Sequence, residues 1–308
     1  MGGISNRMLS GLALAAGLGA CGTSITISLP EGGGLGGTSR PPSGFSLLYS
    51  PTDWAFARVT APDPVRRGKD SERFELREGD CGGSDCGNPR ARAQIVQDRS
   101  VSKARVNRDY WAGWSFYNAN IGPVTDKTSL GTVVGEWKIQ GEDPALFRFI
   151  QLPVSTRDWR GCASNVCTPS GPANADVVVE LDAMAGAGNW GAVQNRGRVC
   201  RLFNMAEAKA RWTDIVVNTN FGSDGFGYLR VWVNGTLRCD YKGQLSLSNG
   251  VPTHRRGLFE SNTSRWAQNN GGAPKPTLIA YYDEFLEGAS RADVDTAARE
   301  KAGLPPVN

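Results

Sequence analysis

The chain has 308 residues, including nine Trp, seven Tyr, eleven Phe and 39 Gly, and its formal net charge is +4 at pH 7. This length fits one large β domain or two ordinary domains, and the aromatic-rich, glycine-rich composition favours strands and turns over helices. The small positive charge permits an anionic partner. No run of Lys and Arg exceeds two residues, and zinc, RNP and helix-turn-helix motifs are absent, so nucleic acid is not indicated as a partner.

The first 21 residues predict an export signal. Arg7 precedes an apolar run over residues 8–18, which is too short to span a membrane. The sequence LGAC that ends at Cys21 resembles the bacterial lipobox, so we expect Cys21 to be lipidated and to attach the protein to a membrane. This predicts a lipoprotein in the periplasm or on the cell surface. The alternative is an ordinary cleaved signal peptide and a secreted protein.

The rest of the chain divides into a tether and a folded part. Residues 22–44 are rich in Gly, Ser, Thr and Pro and cannot bury a core, which predicts a flexible tether. Residues 45–308 then form one domain, which we expect to be a monomer.

Six cysteines follow Cys21, and their number fits three disulfides. Other connectivities are open, but two close pairs lie in turn-rich loops and leave the last two cysteines for each other: Cys81 with Cys86, Cys162 with Cys167, and Cys200 with Cys239. The competing interpretation is a metal site, which lacks CxxC spacing and has His254 as its only histidine. We therefore expect disulfides formed in an oxidising compartment, and no metal or cofactor.

Charged and apolar residues alternate before and after the first cysteine pair, so each stretch predicts a strand with one polar face. These faces carry Arg73, Glu75 and Arg77 in the first stretch and Arg90, Arg92 and Gln94 in the second. If the two strands are neighbours in a sheet, their polar faces form the floor of a charged groove. The competing interpretation is a solvated sheet face.

Further strands are predicted along the whole chain. In residues 132–140, Glu136 and Lys138 share one face while Trp137 and Ile139 share the other. Asn234-Gly235 predicts a type I′ hairpin. Single strands are also predicted in residues 45–49, 54–59, 108–117, 145–154, 176–184, 254–261 and 277–288, and three strands in residues 212–243. A short helix is predicted in residues 290–302 with Ser290 as N-cap. Many short strands with little helix predict an all-β sandwich, a jelly roll with one concave face.

Several motifs carry a family resemblance over residues 45–288. FELREGD, the RARAQ row, YWAGWSFY, GEWKIQG, WTDIVVNTNFGSDGFGYLRVWVNG, RRGLF and YYDEF follow one another in that order. This order resembles the heparin-lyase-I-like and glucuronan-lyase-like polysaccharide lyases. The resemblance implies a concanavalin-like jelly roll whose concave groove binds a uronate-containing anionic polysaccharide. It also implies β-elimination: a cation or amide neutralises the C5 carboxylate, a base removes the C5 proton, and an acid protonates the leaving oxygen.

The resemblance also assigns site residues. Its Arg-x-Glu element falls on Arg92 and Gln94, and its Gln-x-His element on Glu136 and Lys138, so Lys138 stands where the base histidine would be. Its Lys-x-Gly-x-Tyr element runs from Arg255 to Phe259, and Phe259 has no proton to give. The candidate bases are therefore Lys138 and His254, and the candidate acids are Tyr117, Tyr281 and Tyr282. The candidate substrate contacts are Arg73, Glu75, Arg77, Arg92, Gln94, Glu136 and Arg255.

Two other functions fit the same sequence. The changes at Lys138 and Phe259 are compatible with a non-catalytic carbohydrate-binding lipoprotein on the same fold. Glu180-Leu181-Asp182 resembles the first half of the E-x-D-x-E element of glycoside hydrolases, but the third carboxylate is absent. We expect a polysaccharide lyase that acts on an anionic, uronic-acid-containing polymer.

Overall fold

The computed structural model describes residues 40–48, 52–124, 131–141, 144–152, 172–186, 197–261 and 263–308. All of them belong to one compact unit, Leu35–Asn308. The predicted signal segment, Cys21, most of the predicted tether and the predicted Cys162–Cys167 disulfide lie outside the described residues.

Fourteen strands run through these described ranges. In chain order they are β1 (Phe45–Leu48), β2 (Phe56–Val59), β3 (Ser71–Leu76), β4 (Arg90–Gln97), β5 (Tyr110–Asn118), β6 (Thr132–Ile139), β7 (Phe147–Gln151), β8 (Val177–Glu180), β9 (Arg198–Phe203), β10 (Trp212–Thr219), β11 (Tyr228–Val233), β12 (Thr236–Lys242), β13 (Pro252–Ser261) and β14 (Leu278–Gly288). They form two antiparallel sheets of seven strands each. The first sheet has the order β1-β4-β13-β6-β7-β8-β9, and the second has the order β12-β11-β10-β5-β14-β3-β2.

Four short helices decorate the sheets of the described structure: α1 (Asp182–Gly186), α2 (Ser264–Asn269), α3 (Arg291–Val294) and α4 (Thr296–Lys301). The single C-terminal helix predicted from Ser290 is two helices that meet at Asp295. The strand predicted over residues 176–184 ends at Glu180, because Asp182 begins α1. Within the described ranges, no helix has the length and apolar character needed to cross a membrane.

The core lies between the two sheets and is built by alternate residues of their strands. On β5, Tyr110, Ala112, Trp114 and Phe116 are buried, while Tyr117 lies on the opposite, outer face. On β6, Trp137 and Ile139 point into the core, as the alternation predicts. Burying side chains of this size contributes about 1.5 to 3 kcal/mol each relative to leaving them exposed, so these aromatic rows hold the sheets together.

The hairpin between β11 and β12 confirms the turn prediction. Asn234 and Gly235 both have positive φ, 47° and 77°. A type I′ turn requires this geometry at both central positions, and Asn and Gly adopt it at the lowest cost.

The two charged strands are not neighbours, so the prediction that their polar faces share one groove floor is wrong. β3 pairs with β2 and β14 in the second sheet, whereas β4 pairs with β1 and β13 in the first. The segment between them crosses from one sheet to the other. Arg73 and Arg77 both form ion pairs with Glu75 on the outer face of the second sheet. The alternation gave the faces of each strand correctly, but it carries no information on which strand pairs with which.

Two predicted disulfides are confirmed. Cys81–Cys86 closes the loop between β3 and β4, and Cys200–Cys239 joins β9 to β12. Since β9 and β12 are the edge strands of different sheets, the second disulfide ties the two layers together. Among the described residues, no group of three or more His, Cys, Asp or Glu side chains is placed to hold a metal ion.

Candidate functional site

A polar groove opens on the outer face of the first sheet and encloses about 730 Å³. Side chains of β4, β6, β7 and β13 form its floor, and the loop closed by Cys81–Cys86 and the start of α1 form its rims. Its charged and aromatic lining consists of Asp85, Arg90, Arg92, Glu136, Lys138, Arg148, Asp182, Arg255 and Phe259.

Strand alternation decides which side chains reach the groove. On β6, Glu136 and Lys138 face the groove while Trp137 lies in the core. On β13, Arg255 faces the groove, whereas His254 before it turns inward. The charged face that the sequence predicts for residues 132–140 therefore forms part of the floor of this groove.

A row of alternating charges crosses five strands of the first sheet. Its members, Arg255, Glu136, Arg148, Glu180 and Arg198, lie directly opposite one another on β13, β6, β7, β8 and β9. The nitrogen-to-oxygen distances are 3.4 Å between the first two residues, 2.7 Å between the third and fourth, and 3.6 Å between the last two. Opposite charges on facing strands stabilise a sheet, and like charges there destabilise it. This charge row lets the sheet carry three arginines on one face.

Arg92 is the most enclosed cation of the groove, with 7% of the residue exposed. Its Nε donates to Asp85 Oδ2 at 2.7 Å, and its Nη1 donates to Gln94 Oε1 at 2.7 Å. Its guanidinium carbon lies 3.9 Å from the ring centre of Phe259, and its Nη1 is 3.9 Å from Glu136. Buried guanidinium groups need such partners, because an unpaired buried charge is costly.

Gln94 lies behind Arg92 on the same face of β4 and is almost fully buried. Its amide Nε2 has no hydrogen-bond partner among the described residues. An unpaired buried donor costs free energy and is uncommon in a stable structure. The position therefore favours a role in the site over one in stability.

Lys138 occupies the groove two residues beyond Glu136. Burial lowers the pKa of its ammonium group from the usual 10.5, and the nearby Arg255 and Arg92 lower it further, while Glu136 and Asp182 oppose this shift. Burial and neighbouring cations both disfavour the charged form of an amine. The structure therefore makes Lys138 a stronger candidate for proton transfer than an exposed strand lysine.

Asp182 lies across the same groove, at the start of α1. Its Oδ1 is 3.5 Å from Arg148 Nη2. Burial raises the pKa of its carboxyl group above the usual 3.8, Glu180 and Glu136 raise it further, and Arg148 opposes the shift. A carboxyl group in this environment holds its proton more readily than one in water.

His254 lies in the core, so the prediction that it serves as a groove base is wrong. Its ring is 4.4 Å from that of Trp137, 4.5 Å from that of Phe285 and 5.3 Å from that of Trp114, measured between ring centres. Burial, with a further contribution from Arg256, holds its pKa well below 6.5. A fully enclosed neutral imidazole has no path to a polysaccharide on the outer face.

The three tyrosines proposed as acids also lie elsewhere, so their prediction as groove acids is wrong. Tyr282 is in the core, where its hydroxyl donates to the carbonyl oxygen of Val134 at 2.8 Å. Tyr281 and Tyr117 pack together on the outer face of the second sheet. Tyr281 donates to Asp63 at 2.8 Å, and burial followed by this hydrogen bond raises its pKa to about 12.

The predicted substrate contacts divide between the two sheets. Arg92, Glu136 and Arg255 line the groove and Gln94 lies beneath it, so their roles in binding stay predictions. Arg73, Glu75 and Arg77 lie on the second sheet, and their prediction as groove contacts is wrong for the reason given above. Sequence reasoning missed Asp85 and Arg148 in the groove, named Arg90 only as part of the polar face of its strand, and considered Asp182 only as a hydrolase carboxylate. The alternation of residues 147–151 could have indicated Arg148, but nothing local indicates Asp85.

The sequence matches the family model described as "Polysaccharide lyase" over residues 52–286. This match covers most of the chain, and the chain belongs to the polysaccharide lyase family. The family assignment confirms the resemblance seen in the motifs and the expectation of a lyase. No curated protein matches the chain by sequence.

Solved structures with a similar fold include three lyases. An endo-β-1,4-glucuronan lyase from the fungus Trichoderma reesei has a TM-score of 0.52 and 14% identity over 84% of this chain and 96% of its own. An alginate lyase of polysaccharide lyase family 7 has a TM-score of 0.46 and 13% identity, with 80% and 94% covered. The marine family 7 alginate lyase from Zobellia galactanivorans has a TM-score of 0.44 and 9% identity, with 78% and 82% covered. The first of these similarities, with the two sheets, confirms the predicted jelly-roll sandwich.

Replacing His254 by Phe tests its structural role. A phenyl ring fills the same space without the two ring nitrogens, which have no hydrogen-bond partner among the described residues. We expect His254→Phe to keep polysaccharide cleavage within about twofold of the wild type, because removing unpaired buried polar atoms at constant shape is close to neutral. Cleavage rates and thermal unfolding measure this, and a folded variant that lost activity a hundredfold or more would restore His254 as a base.

The same variant should change how stability depends on pH. The unfolded chain binds a proton at His254 below pH 6.5, whereas the buried ring in the folded protein does not. The free energy of unfolding of the wild type therefore falls as pH decreases through this range. In His254→Phe this part of the loss should disappear.

Proposed function

We propose that this protein cleaves uronic-acid-containing polysaccharides by β-elimination in the groove of the first sheet. The observation that carries the proposal is the convergence of Arg92, Arg255 and Lys138, from three strands, on one open groove. Two of these residues carry a fixed positive charge, and the third is an amine with a lowered pKa.

Arg92 and Arg255 bind the carboxylate of the uronate. An ionised carboxylate makes the proton on the adjacent C5 carbon less acidic, because removing that proton places more negative charge on the same group. Guanidinium groups at the carboxylate oxygens offset this charge as it develops. Glu136 lies within 4 Å of both arginines and offsets the repulsion between the two guanidinium groups before substrate binds.

Lys138 removes the C5 proton in its neutral form. The electron pair of the C5–H bond forms the C4–C5 double bond, and the bond between C4 and the glycosidic oxygen breaks. Asp182 gives its proton to the leaving oxygen, a step that Phe259 cannot perform. The protonated Lys138 then returns the proton to Asp182 through solvent. An amine with a lowered pKa and a carboxyl group with a raised pKa suit these two roles.

The charge balance of the groove favours uronates without sulfate groups. Five cationic and three carboxylate side chains line its described part, an excess of two positive charges. Several of these cations already face a carboxylate of the protein, as the charge row shows. One carboxylate per sugar matches this modest excess, whereas a heavily sulfated chain would bring uncompensated negative charge towards Glu136 and Asp182. The similar structure from Trichoderma reesei is a glucuronan lyase, so glucuronan is the first polymer to test.

We also propose that the protein is exported, attached to a membrane through a lipidated Cys21, and active as a monomer. The LGAC sequence at the end of the apolar segment supports the lipid attachment. The Cys81–Cys86 and Cys200–Cys239 disulfides support an oxidising compartment.

A second candidate function is polysaccharide binding without cleavage. The observation that favours it is Phe259, which stacks under Arg92 at the position where the resemblance places a proton donor. On this reading, the groove binds the same polymer and releases it unchanged. The unsaturated product of elimination separates the two functions.

Lys138 provides the sharpest test of elimination. We expect Lys138→Ala and Lys138→Arg both to lower kcat on glucuronan by about a hundredfold or more, since arginine keeps the charge but cannot give up its proton. The rate of the wild type should pass through a maximum with pH, because Lys138 has to lose its proton and Asp182 has to keep its own. Absorbance of the unsaturated product measures both.

The control for this test is Lys242→Arg, at an exposed position of the second sheet. It should keep the wild-type rate. If Lys138→Arg also kept the rate, Lys138 would be a carboxylate-binding cation and not the base. If the wild type bound glucuronan without forming unsaturated product, the binding function would replace the lyase.

Substrate charge gives an independent test. We expect kcat/KM for glucuronan or alginate to exceed that for heparin by about tenfold or more, because the groove offers few cations that lack a protein carboxylate nearby. Initial rates of unsaturated-product formation at equal uronate concentration measure this ratio. A preference for heparin would contradict the charge argument while leaving elimination intact.

A further inference from the structure

We propose that Asp85 is a positioning residue that orients Arg92 for the substrate carboxylate, and that the Cys81–Cys86 disulfide holds Asp85 in place. This inference rests on the proposed function, because Arg92 is assigned there to the uronate. It assigns a role in the site to a loop that contains neither the proposed base nor the proposed acid.

The contact between the two side chains is direct and enclosed. Arg92 Nε donates to Asp85 Oδ2 at 2.7 Å, with 8% of the arginine side chain and 2% of the aspartate side chain exposed. A charge-assisted hydrogen bond of this length is among the stronger polar interactions in a protein. Because Nε is the point at which the guanidinium plane joins its stem, a bond there fixes the rotation of the whole plane.

The other partners of Arg92 complete this orientation. Gln94 accepts from Nη1 at 2.7 Å, and the ring of Phe259 lies against the flat face of the guanidinium. The two hydrogen bonds at the edge of the guanidinium and the ring contact on its face together restrict the rotation of the guanidinium plane. Among these partners Asp85 alone pairs a full negative charge with Arg92 within 3 Å, since Glu136 is 3.9 Å away.

The position of the Asp85 side chain depends on a loop with little secondary structure. It ends a single 3-10 turn, Gly83–Asp85, inside the loop closed by Cys81 and Cys86. The Asp85 N–H donates to Gly82 O at 3.1 Å, and the Arg92 N–H donates to Asp80 O at 3.1 Å, which fastens the loop to β4. A short turn that contains glycine has high conformational entropy when unfolded. The disulfide restricts that freedom and keeps the aspartate at the arginine.

This arrangement explains why a surface loop carries a fully buried carboxylate. Either charge alone in this place would be costly, and together they neutralise each other. The loop therefore supplies the carboxylate that neutralises Arg92, the cation that the proposed function assigns to the substrate.

A double-mutant cycle tests the coupling. The variants are Asp85→Asn, Arg92→Ala and the double variant, and the readouts are the Kd for a glucuronate oligomer by calorimetry and the kcat and KM on glucuronan. We expect Asp85→Asn to raise Kd and KM about tenfold and to lower kcat as well, because both the binding of the carboxylate and the offset of its developing charge depend on the orientation of Arg92. In the Arg92→Ala background the same change should alter Kd by less than about twofold. A tenfold effect that persisted without Arg92 would overturn the proposal.

The disulfide has a matched control in the same chain. Cys81→Ser with Cys86→Ser should raise KM in the direction of Asp85→Asn, whereas Cys200→Ser with Cys239→Ser should lower the unfolding temperature and leave KM unchanged. Cys200–Cys239 closes a loop of sequence separation 39 against 5 for the other, so it contributes more to global stability. An unchanged KM after loss of Cys81–Cys86 would contradict the role of the disulfide.

A readout that needs no substrate separates this proposal from the proposed function. The Nε–H proton of Arg92 should give a resolved, slowly exchanging resonance in wild-type protein that is lost in Asp85→Asn. If wild-type protein shows this resonance but cleaves no uronate polymer, the proposed lyase activity fails and the positioning stands. If the resonance is absent from the wild type, the positioning fails whatever the activity.

Discussion

Opposite charges that face each other across the first sheet are the interaction on which the site depends. Arg255, Glu136, Arg148, Glu180 and Arg198 occupy matching positions on five neighbouring strands, so each carboxylate lies between two guanidinium groups. A sheet face of arginines alone would repel itself, and a face of carboxylates would repel the substrate. The alternating row keeps several cations enclosed at low cost and leaves only a small positive excess for a ligand.

Strand alternation then determines what else the groove contains. β6 and β13 each bury an aromatic ring on one side and present charge on the other, so Trp137 and His254 build the core while Lys138 and Arg255 line the groove. The same two strands thus join the layers and form the site. In the proposed mechanism, proton transfer therefore falls to Lys138 and Asp182, whose pKa values are shifted in the groove, and not to the only histidine.

Most of the fold was predictable because it follows from local patterns. Period-two alternation predicted the faces of β5 and β6, and Asn234-Gly235 predicted the hairpin because few other residue pairs adopt positive φ twice. The groove-facing position of Arg92 was predictable from the same alternation, whereas Arg255 was named through the motif resemblance. The pairing of β3 with β14 and of β4 with β13 was not, because strand order depends on contacts between distant segments. For this reason the sequence placed Arg73 and Tyr281 in the groove and missed Asp85.

The proposed function requires a uronate carboxylate to bind to Arg92 and Arg255 on the outer face of the first sheet. A crystal structure of the Lys138→Ala variant with an unsulfated glucuronate oligomer tests it most directly, because the variant should bind the oligomer without cleaving it. We expect a uronate carboxylate about 3 Å from the guanidinium of Arg92 or Arg255. An oligomer bound on the second sheet beside Arg73 and Tyr281, or one in the groove with its carboxylates turned away from both arginines, would contradict it.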